Sequence, residues 1–340
     1  MAYYLGIDGG GTKTYALLTD DRGNVLGKGV GGNGNHQIDR GLAAQSIREA
    51  AESALGEAGL EVRQLAHAYF GLAGADREPD YRILHPLVQE IGFTRNYSIN
   101  CDTMIGLRAG TNRPYGVALI CGTGTNAAGR NPAGEHVQVG GFDYMYGDFG
   151  GGGSLNIEVF RSVIRAWDGR EQPTKLTPLL LGFLGYDSVG DMFDDFQDHG
   201  KHVPVHAAKL LFEAAADNDA VALEILSRQG IELGKSAAAV IRRLGMENDV
   251  FDVVLAGSLL TRGDRGWIRG KIEQAVAAAA PNATVVTLST EPVVGAVWSA
   301  MEADGLAVNR EAYEQMRTFR DFEHIPLTTR SSDNQTRAKL

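Results

Sequence analysis

Two short stretches of this chain combine residue types that bind phosphate. Ile7-Asp8-Gly9-Gly10-Gly11-Thr12 and Ile120-Cys121-Gly122-Thr123-Gly124-Thr125 share the pattern I-x-G-x-G-T, and each follows an apolar run. A strand that ends in glycines exposes consecutive backbone N–H groups with no Cβ in the way, and the threonine adds a hydroxyl. Such a concave nest suits phosphate oxygens. Two better-known phosphate loops are excluded. A P-loop needs Gly-Lys-Ser/Thr, and after Gly6 and Gly11 the lysine position holds Thr12. Gly122-x-Gly124-x-x-Ala127 has the spacing of a dinucleotide fingerprint, but Gly129-Arg130-Asn131-Pro132 puts a turn where that motif needs a helix.

The two copies differ at one informative position, where the first carries Asp8 and the second Cys121. A carboxylate at a strand end beside a phosphate nest repels the anion unless a cation lies between them. Mg²⁺ fills that place in most phosphoryl-transfer sites, often held through water by one or two carboxylates. Other groupings read as ordinary structure. His199, His202 and His206 have a metal-like spacing, but Pro204 breaks any helix that would align them, so they read as solvated loop histidines. Asp191, Asp194, Asp195 and Asp198 interleave with Met192, Phe193 and Phe196 as an amphipathic face.

The elements that position the glycine turns alternate between strand and helix. Strands are expected over residues 3–8, 14–19 and 24–31, with a turn at Asp21-Arg22-Gly23. Residues 42–55 carry the helical period through Ala43, Ile47, Ala50, Ala51 and Ala54. A strand over 65–71, a helix over 79–91 and a strand over 97–100 complete the first half. The pattern then restarts with strands over 115–121, 126–130 and 136–139. Helices follow over 155–167, 207–216 and 220–244, then strand 251–256, helix 267–279, strand 284–288 and helix 293–303. Strands first as hairpins and then alternating with helices describe a mixed α/β layer architecture. The restart predicts two equivalent domains, over residues 1–114 and 115–320, which would set their glycine hairpins opposite one another. Residues 321–340, polar after Phe322, are expected to form a disordered tail.

Composition bounds the partners. The 340 residues have room for two cores, and 44% hydrophobic residues exclude a disordered chain. With 32 basic and 42 acidic residues the net charge is −10, which argues against nucleic-acid or anionic-membrane binding. The 44 glycines are about twice the usual share, as expected where backbone must sit close to something. Two cysteines exclude a disulfide framework or a cysteine-rich metal cage. The N-terminus lacks the apolar core of a signal peptide and no apolar run reaches about 18 residues, so the expected location is cytoplasmic.

These motifs together carry a resemblance. Leu5-Gly-Ile-Asp8-Gly-Gly-Gly-Thr12-Lys13-Thr14 resembles the first phosphate motif of the actin/hexokinase/Hsp70 ATPase superfamily, and Gly122-Thr-Gly-Thr125-Asn126 its second. Val253-Val-Leu-Ala-Gly257-Ser258 resembles its adenosine motif. Residues 103–109 and 293–303, with small residues Gly106, Gly295 and Ala296, look like its two connecting helices. The five elements occur in the family's order across most of residues 3–305. Within the superfamily the details are similar to N-acetylglucosamine kinase and to the BadF/BadG/BcrA/BcrD-type ATPases that activate 2-hydroxyacyl-CoA dehydratases. Asn35-His36 resembles the kinase's sugar-binding pair, Cys101-Asp102-Thr103 the segment with its catalytic aspartate, and Gly140-Gly141-Phe142 with Gly147-Asp148 its sugar-binding stretch. Phe142 stands where that family has tryptophan, and Phe149 where it has glutamate, ahead of the four glycines at 150–153.

The resemblance implies two duplicated actin-like, ribonuclease H-like α/β domains with ATP and Mg²⁺ in the cleft between them. It implies ATP-dependent phosphorylation of the 6-hydroxyl of N-acetylglucosamine or a close amino sugar. Asp102 would be the general base, since a sugar hydroxyl needs its proton accepted as phosphoryl transfer proceeds, and as the first residue of a helix it also suits an N-cap. Asp8 would hold Mg²⁺. Gly10, Gly11, Thr12, Lys13, Thr14, Gly122, Thr123, Gly124, Thr125, Asn126, Gly257 and Ser258 would contact the nucleotide. Asn35, His36, Asp102, Gly140, Gly141, Phe142 and Asp148 would contact the sugar. Cys101 and Cys121 flank the expected site and make it a target for thiol reagents. Glucosamine, glucose and N-acetylmuramic acid stay open as substrates, as do an ATPase serving a partner enzyme and a non-catalytic sugar sensor. The expected partners are small molecules, with room for a homodimer.

Overall fold

The computed structural model describes residues 1–324, and its strands fall where the apolar runs place them. β1 (Tyr3–Gly9), β2 (Thr14–Asp20) and β3 (Val25–Gly31) form two antiparallel hairpins, and β4 (His67–Leu72) and β5 (Tyr97–Cys101) add parallel to β1. The sheet order is β3-β2-β1-β4-β5. α1 (Arg40–Ala58) opens on Asp39, whose side chain accepts from Leu42 N–H, and closes on left-handed Gly59. It lies directly on β3, because a Cβ at Gly27, Gly29 or Gly31 would overlap its carbonyls. α2 (Glu78–Glu90) covers β5, and α3 (Asp102–Gly110) leaves its end.

A second sheet repeats the first. β6 (Gly116–Cys121), β7 (Thr125–Arg130) and β8 (His136–Val139) are antiparallel, while β9 (Asp252–Ala256) and β10 (Thr284–Thr287) add parallel to β6, in the order β10-β9-β6-β7-β8. Strand order and sense match the first sheet element for element, so the restart seen in the residues is a duplication of topology. Between β8 and β9 lie α4 (Gly152–Trp167), α5 (Leu176–Leu184), α6 (Val189–His199), α7 (Lys209–Ala216) and α8 (Ala220–Arg243). α9 (Arg269–Ala279) joins β9 to β10, and α10 (Pro292–Ala303) and α11 (Arg310–Met316) follow. α5 and α11 carry no helical signal in sequence. α5 is apolar all round with Pro178 and Gly182 inside it, and α11 is only seven residues long.

The chain divides into two units, but not at residue 114. Unit 1 is Met1–Ile105 with the described residues from Thr290 onward, and unit 2 is Gly106–Ser289. The boundary falls inside α3, and residues 290–320 belong to the first unit instead of the second. The cause is Gly6: a Cβ there would lie 2.6 Å from Val297 N and 2.8 Å from Val293 O, so only glycine lets α10 lie on β1. Tyr4, Leu17, Val293, Val297, Trp298, Met301, Met316 and Phe322 then form one buried cluster. The first residues of the expected tail, 321–324, therefore belong to the folded unit. Asp321–His324 is a short 3₁₀ turn with Phe322 buried, and residues 325–340 lie outside the described residues. Among the described residues no helix is long and apolar enough to cross a membrane.

Candidate functional site

Parallel strands end on one edge of their sheet, where ligands bind in open α/β folds. In unit 1 that edge collects the first glycine turn, the loop after β3 and the ends of β4 and β5. Gly10 N–H donates to Lys13 carbonyl at 2.9 Å, closing the hairpin, and Gly11, Thr12 and Lys13 are exposed. The Gly10 carbonyl in turn accepts from Gly34 N–H at 2.9 Å. A trans peptide sets C=O and the next N–H in opposite directions, so this bond turns Gly11 N–H outward. Thr14 does not line the turn as expected from its place in the motif. It is buried in β2, and its hydroxyl donates to Gly32 carbonyl at 3.0 Å, bracing the turn from behind.

Asn35 sits on this edge, partly exposed and fixed on both sides. Its N–H donates to Asn33 Oδ1 at 3.0 Å, its carbonyl accepts from Asn33 Nδ2 at 3.2 Å, and its own Oδ1 accepts from Gln37 N–H at 2.9 Å. Gln37 Nε2 ties the loop to Gly74 carbonyl at 3.1 Å and Asp80 Oδ1 at 3.3 Å. His36 departs from its expected sugar contact. It is 7% exposed, turned under the loop with Nε2 3.5 Å from buried Asp80 Oδ1, so it supports Asn35 from inside.

The acids of unit 1 converge. Asp8 ends β1, Asp102 begins α3 beyond β5, and Glu291 immediately precedes α10 beyond β10, the position in the second repeat that corresponds to Asp102. Burial, then the charges of Asp102 and Glu291, push the Asp8 carboxyl up to about 7. Asp102 Oδ1 accepts from Thr103 Oγ1 at 3.3 Å and lies 3.3 Å from Cys101 Sγ, which is itself 3.4 Å from Asp76 Oδ1. Burial raises Asp102, and the Asp76 charge adds to it against the pull of the Cys101 and Thr103 hydrogen bonds. Oxygen donors that crowd negative charge fit a hard divalent cation, which would relieve the repulsion on Asp8. Among the described residues no group of three or more His, Cys, Asp or Glu side chains is arranged to hold a metal by itself. Sequence reading missed Asp76 and Glu291. The available signal was an acid just past the end of a parallel strand, as at Asp8 and Asp102.

In unit 2 the second turn occupies the same edge of its sheet. Gly122 N–H donates to Gly124 carbonyl at 2.9 Å, and Thr123 and Gly124 are exposed. β9 runs parallel beside β6, pairing Ala256 with Ile120, so the adenosine motif abuts the turn. Gly257 (φ +89°) has no room for a Cβ against the Cys121 backbone, and Ser258 is exposed. Asn126 lies in β7 away from the turn's tip, where a Cβ at Gly141 would come within 2.9 Å of its Cγ. It therefore underlies the loop of Gly140, Gly141 and Phe142. Asp148 Oδ2 accepts from the N–H groups of Gly141 (2.9 Å), Phe142 (2.7 Å) and Asp143 (2.9 Å), so that oxygen holds the loop's shape instead of reaching for a sugar hydroxyl. Phe142 stays 39% exposed on the loop.

Two further expectations change. Cys101 and Cys121 are buried, and their thiols are pushed well up for Cys101 and up to about 12 for Cys121, chiefly by burial, so they are poor targets for thiol reagents. Phe149 is buried beneath the Arg228 guanidinium, 4.2 Å from its ring centroid, and packs in the core instead of facing a ligand. His199 ends α6 paired with Asp195 at 2.9 Å, and His206 lies in a separate 3₁₀ turn.

The sequence is similar to characterised proteins over most of its length. It is 29% identical over 315 residues to an N-acetyl-D-glucosamine kinase of Dictyostelium discoideum, covering 88% of this chain and 98% of that protein. It is 26% identical over 300 residues to an N-acetylmuramic acid/N-acetylglucosamine kinase of Clostridium acetobutylicum, covering 87% and 97%. A solved structure from Chromobacterium violaceum, assigned as an N-acetylglucosamine kinase, superposes with a TM-score of 0.68 at 25% identity over 88% of this chain and 99% of that one. The family model of the BadF/BadG/BcrA/BcrD ATPases matches residues 5–300, and the chain belongs to that family.

Proposed function

We propose that this protein is an ATP-dependent kinase that phosphorylates the 6-hydroxyl of N-acetylglucosamine or a closely related amino sugar. The observation that carries this reading is the placement of Asp102. Its carboxylate begins α3 at the ligand-binding edge, set by Thr103 and Cys101 and raised in proton affinity by burial. A base so tuned accepts a hydroxyl proton more readily than an ordinary aspartate. As the sugar oxygen bonds to the γ-phosphorus, the bond from phosphorus to the β–γ bridging oxygen breaks, ADP leaves, and the proton comes to rest on Asp102.

Gly10, Gly11, Thr12 and Lys13, and likewise Gly122, Thr123, Gly124 and Thr125, would contact the nucleotide phosphates. Gly257 and Ser258 would lie against adenosine. Mg²⁺ held near Asp8 would supply charge neutralisation at the β- and γ-phosphates. Asn35 and the loop of Gly140, Gly141 and Phe142 would grip the sugar, since a site that hydrogen-bonds each hydroxyl rejects analogues lacking one. Such a kinase is expected to work in the cytoplasm, where ATP is supplied.

ADP release from Mg-ATP, followed by a coupled assay against N-acetylglucosamine, glucosamine, N-acetylmannosamine, glucose and N-acetylmuramic acid, tests the reading. Strong stimulation by N-acetylglucosamine is expected. Hydrolysis indifferent to every sugar would overturn it in favour of an ATPase serving a protein partner. The burial of both thiols weighs against this chain sharing a cysteine-bound cluster across a dimer, as such an activator would.

A further inference from the structure

The four glycines at 150–153 do not border the loop of Phe142 and Asp148 alone. They lie on the second phosphate turn. Gly152 N–H donates to Gly122 carbonyl at 2.7 Å, and Gly153 N–H to Thr123 carbonyl at 2.8 Å. A Cβ at Gly151 would lie 2.7 Å from both Gly124 C and Thr123 O, so backbone meets backbone here and no side chain fits. The first N–H groups of α4 are thereby engaged by the turn and do not form an anion site of their own.

The underside is built as closely. The Cys121 thiol at the end of β6 accepts from Gln229 Nε2 at 3.7 Å. Gln229 is completely buried on α8, and its amide fills the space a Cβ at Gly150 (φ +103°) would need. One residue earlier on α8, Arg228 covers Phe149. Thus α8 seats the run and the run seats the turn. With the carbonyls of Gly122 and Thr123 both captured, trans peptide geometry turns the N–H groups of Thr123 and Gly124 to the opposite, exposed side. The first turn follows the same logic with a single bond, Gly34 to Gly10.

We propose that residues 150–153, seated on Gln229 and Cys121, form a positioning element for the nucleotide, presenting the amides of Thr123 and Gly124 to phosphate. This rests on the nucleotide reading of that turn. It assigns the run to ATP binding, and it explains why the second repeat carries a thiol where the first carries Asp8. Cys121 serves as a neutral acceptor beneath the turn, a place where a carboxylate would bring charge toward the phosphate.

The test compares Gly151→Ala and Gln229→Met with the wild-type enzyme, measuring Mg-ADP affinity by calorimetry and KM for ATP and for sugar. Backbone amide shifts of Thr123 and Gly124 are followed in the wild type on adding Mg-ADP. Each variant is expected to weaken Mg-ADP and raise KM for ATP by about tenfold, with KM for sugar within about twofold. Should Gly151→Ala not fold, Gln229→Met, which keeps the buried volume, decides alone. Unchanged nucleotide affinity, or a rise confined to the sugar KM, would overturn the proposal. If the Thr123 and Gly124 amides shift while the variants bind normally, the positioning role fails and the nucleotide reading stands. If those amides do not shift, the nucleotide reading of the turn fails first.

Discussion

The N–H of Gly34 donates to the carbonyl of Gly10 at 2.9 Å, so the loop that carries Asn35 and the first phosphate turn are held by one backbone hydrogen bond. A Cβ at Gly34 would lie 2.5 Å from Thr14 Oγ1 and 2.8 Å from Gly9 Cα. Gly34→Ala must therefore part the two segments. It is expected to cost about 1–3 kcal/mol of stability and to raise KM for ATP and sugar together. Thermal unfolding with steady-state kinetics checks this, and a change in one KM alone would contradict the coupling.

Asp102→Asn keeps the shape of the side chain and removes the proton acceptor. Turnover is expected to fall by about 10²–10⁴-fold while ATP and sugar affinities stay near wild type. Calorimetry and single-turnover kinetics separate the two effects. Near-normal turnover would remove Asp102 from the role of base.

Asp8 links stability to pH. Its folded-state carboxyl, pushed up to about 7 by burial and by the charges of Asp102 and Glu291, holds its proton longer than in the unfolded chain. Its contribution to stability is therefore present below pH about 4 and is lost as the pH rises to about 7. Without ligand, Asp8→Asn should flatten the fall in melting temperature across this window. In the wild type at pH 7, binding of Mg-ADP should release a proton, visible as heats that vary with buffer ionisation enthalpy. Buffer-independent heats would argue against a cation at Asp8.

The seat of α10 on β1 is a stability feature. Trp298 is fully buried there and stacks on Tyr313 at 4.9 Å. Trp298→Ala should cost about 3–5 kcal/mol, and Gly6→Ala should destabilise through its clash with the α10 backbone. Denaturant titration measures both.

The thiols make a simple check. Cys101 and Cys121 should resist an aromatic disulfide reagent in the native protein and react, two per chain, once it is unfolded. Fast modification of native protein would show that one of these strand ends opens.

Much of the architecture is local and so was legible. Strand and helix positions follow from apolar period and turn residues, and the two I-x-G-x-G-T turns announce the duplication because each is a short contiguous string. The acids at strand ends, Asp8 and Asp102, are likewise placed by the strands that precede them. The ten strands of the described residues all lie within two residues of their expected bounds. α5 escaped because it is apolar all round, with Pro178 and Gly182 inside it, and so shows no apolar period.

The roles of Thr14, His36, Asp148 and the glycines at 150–153 were decided only by the folded chain. Each belongs to a motif by spacing, yet its polar atoms or its bare backbone meet partners that spacing does not encode: Gly32, Asp80, the amides of residues 141–143, and the carbonyls of Gly122 and Thr123. Main-chain donors and acceptors are the same in every residue but proline, so the string of side chains does not tell which will pair across the fold. The same holds for α10, whose place on β1 depends on a side chain that Gly6 lacks. Sequence determines which residues can do chemistry and on which elements they stand. Tertiary packing determines which of them face a ligand and which hold the others in place, because burial and backbone pairing are set only when distant segments meet.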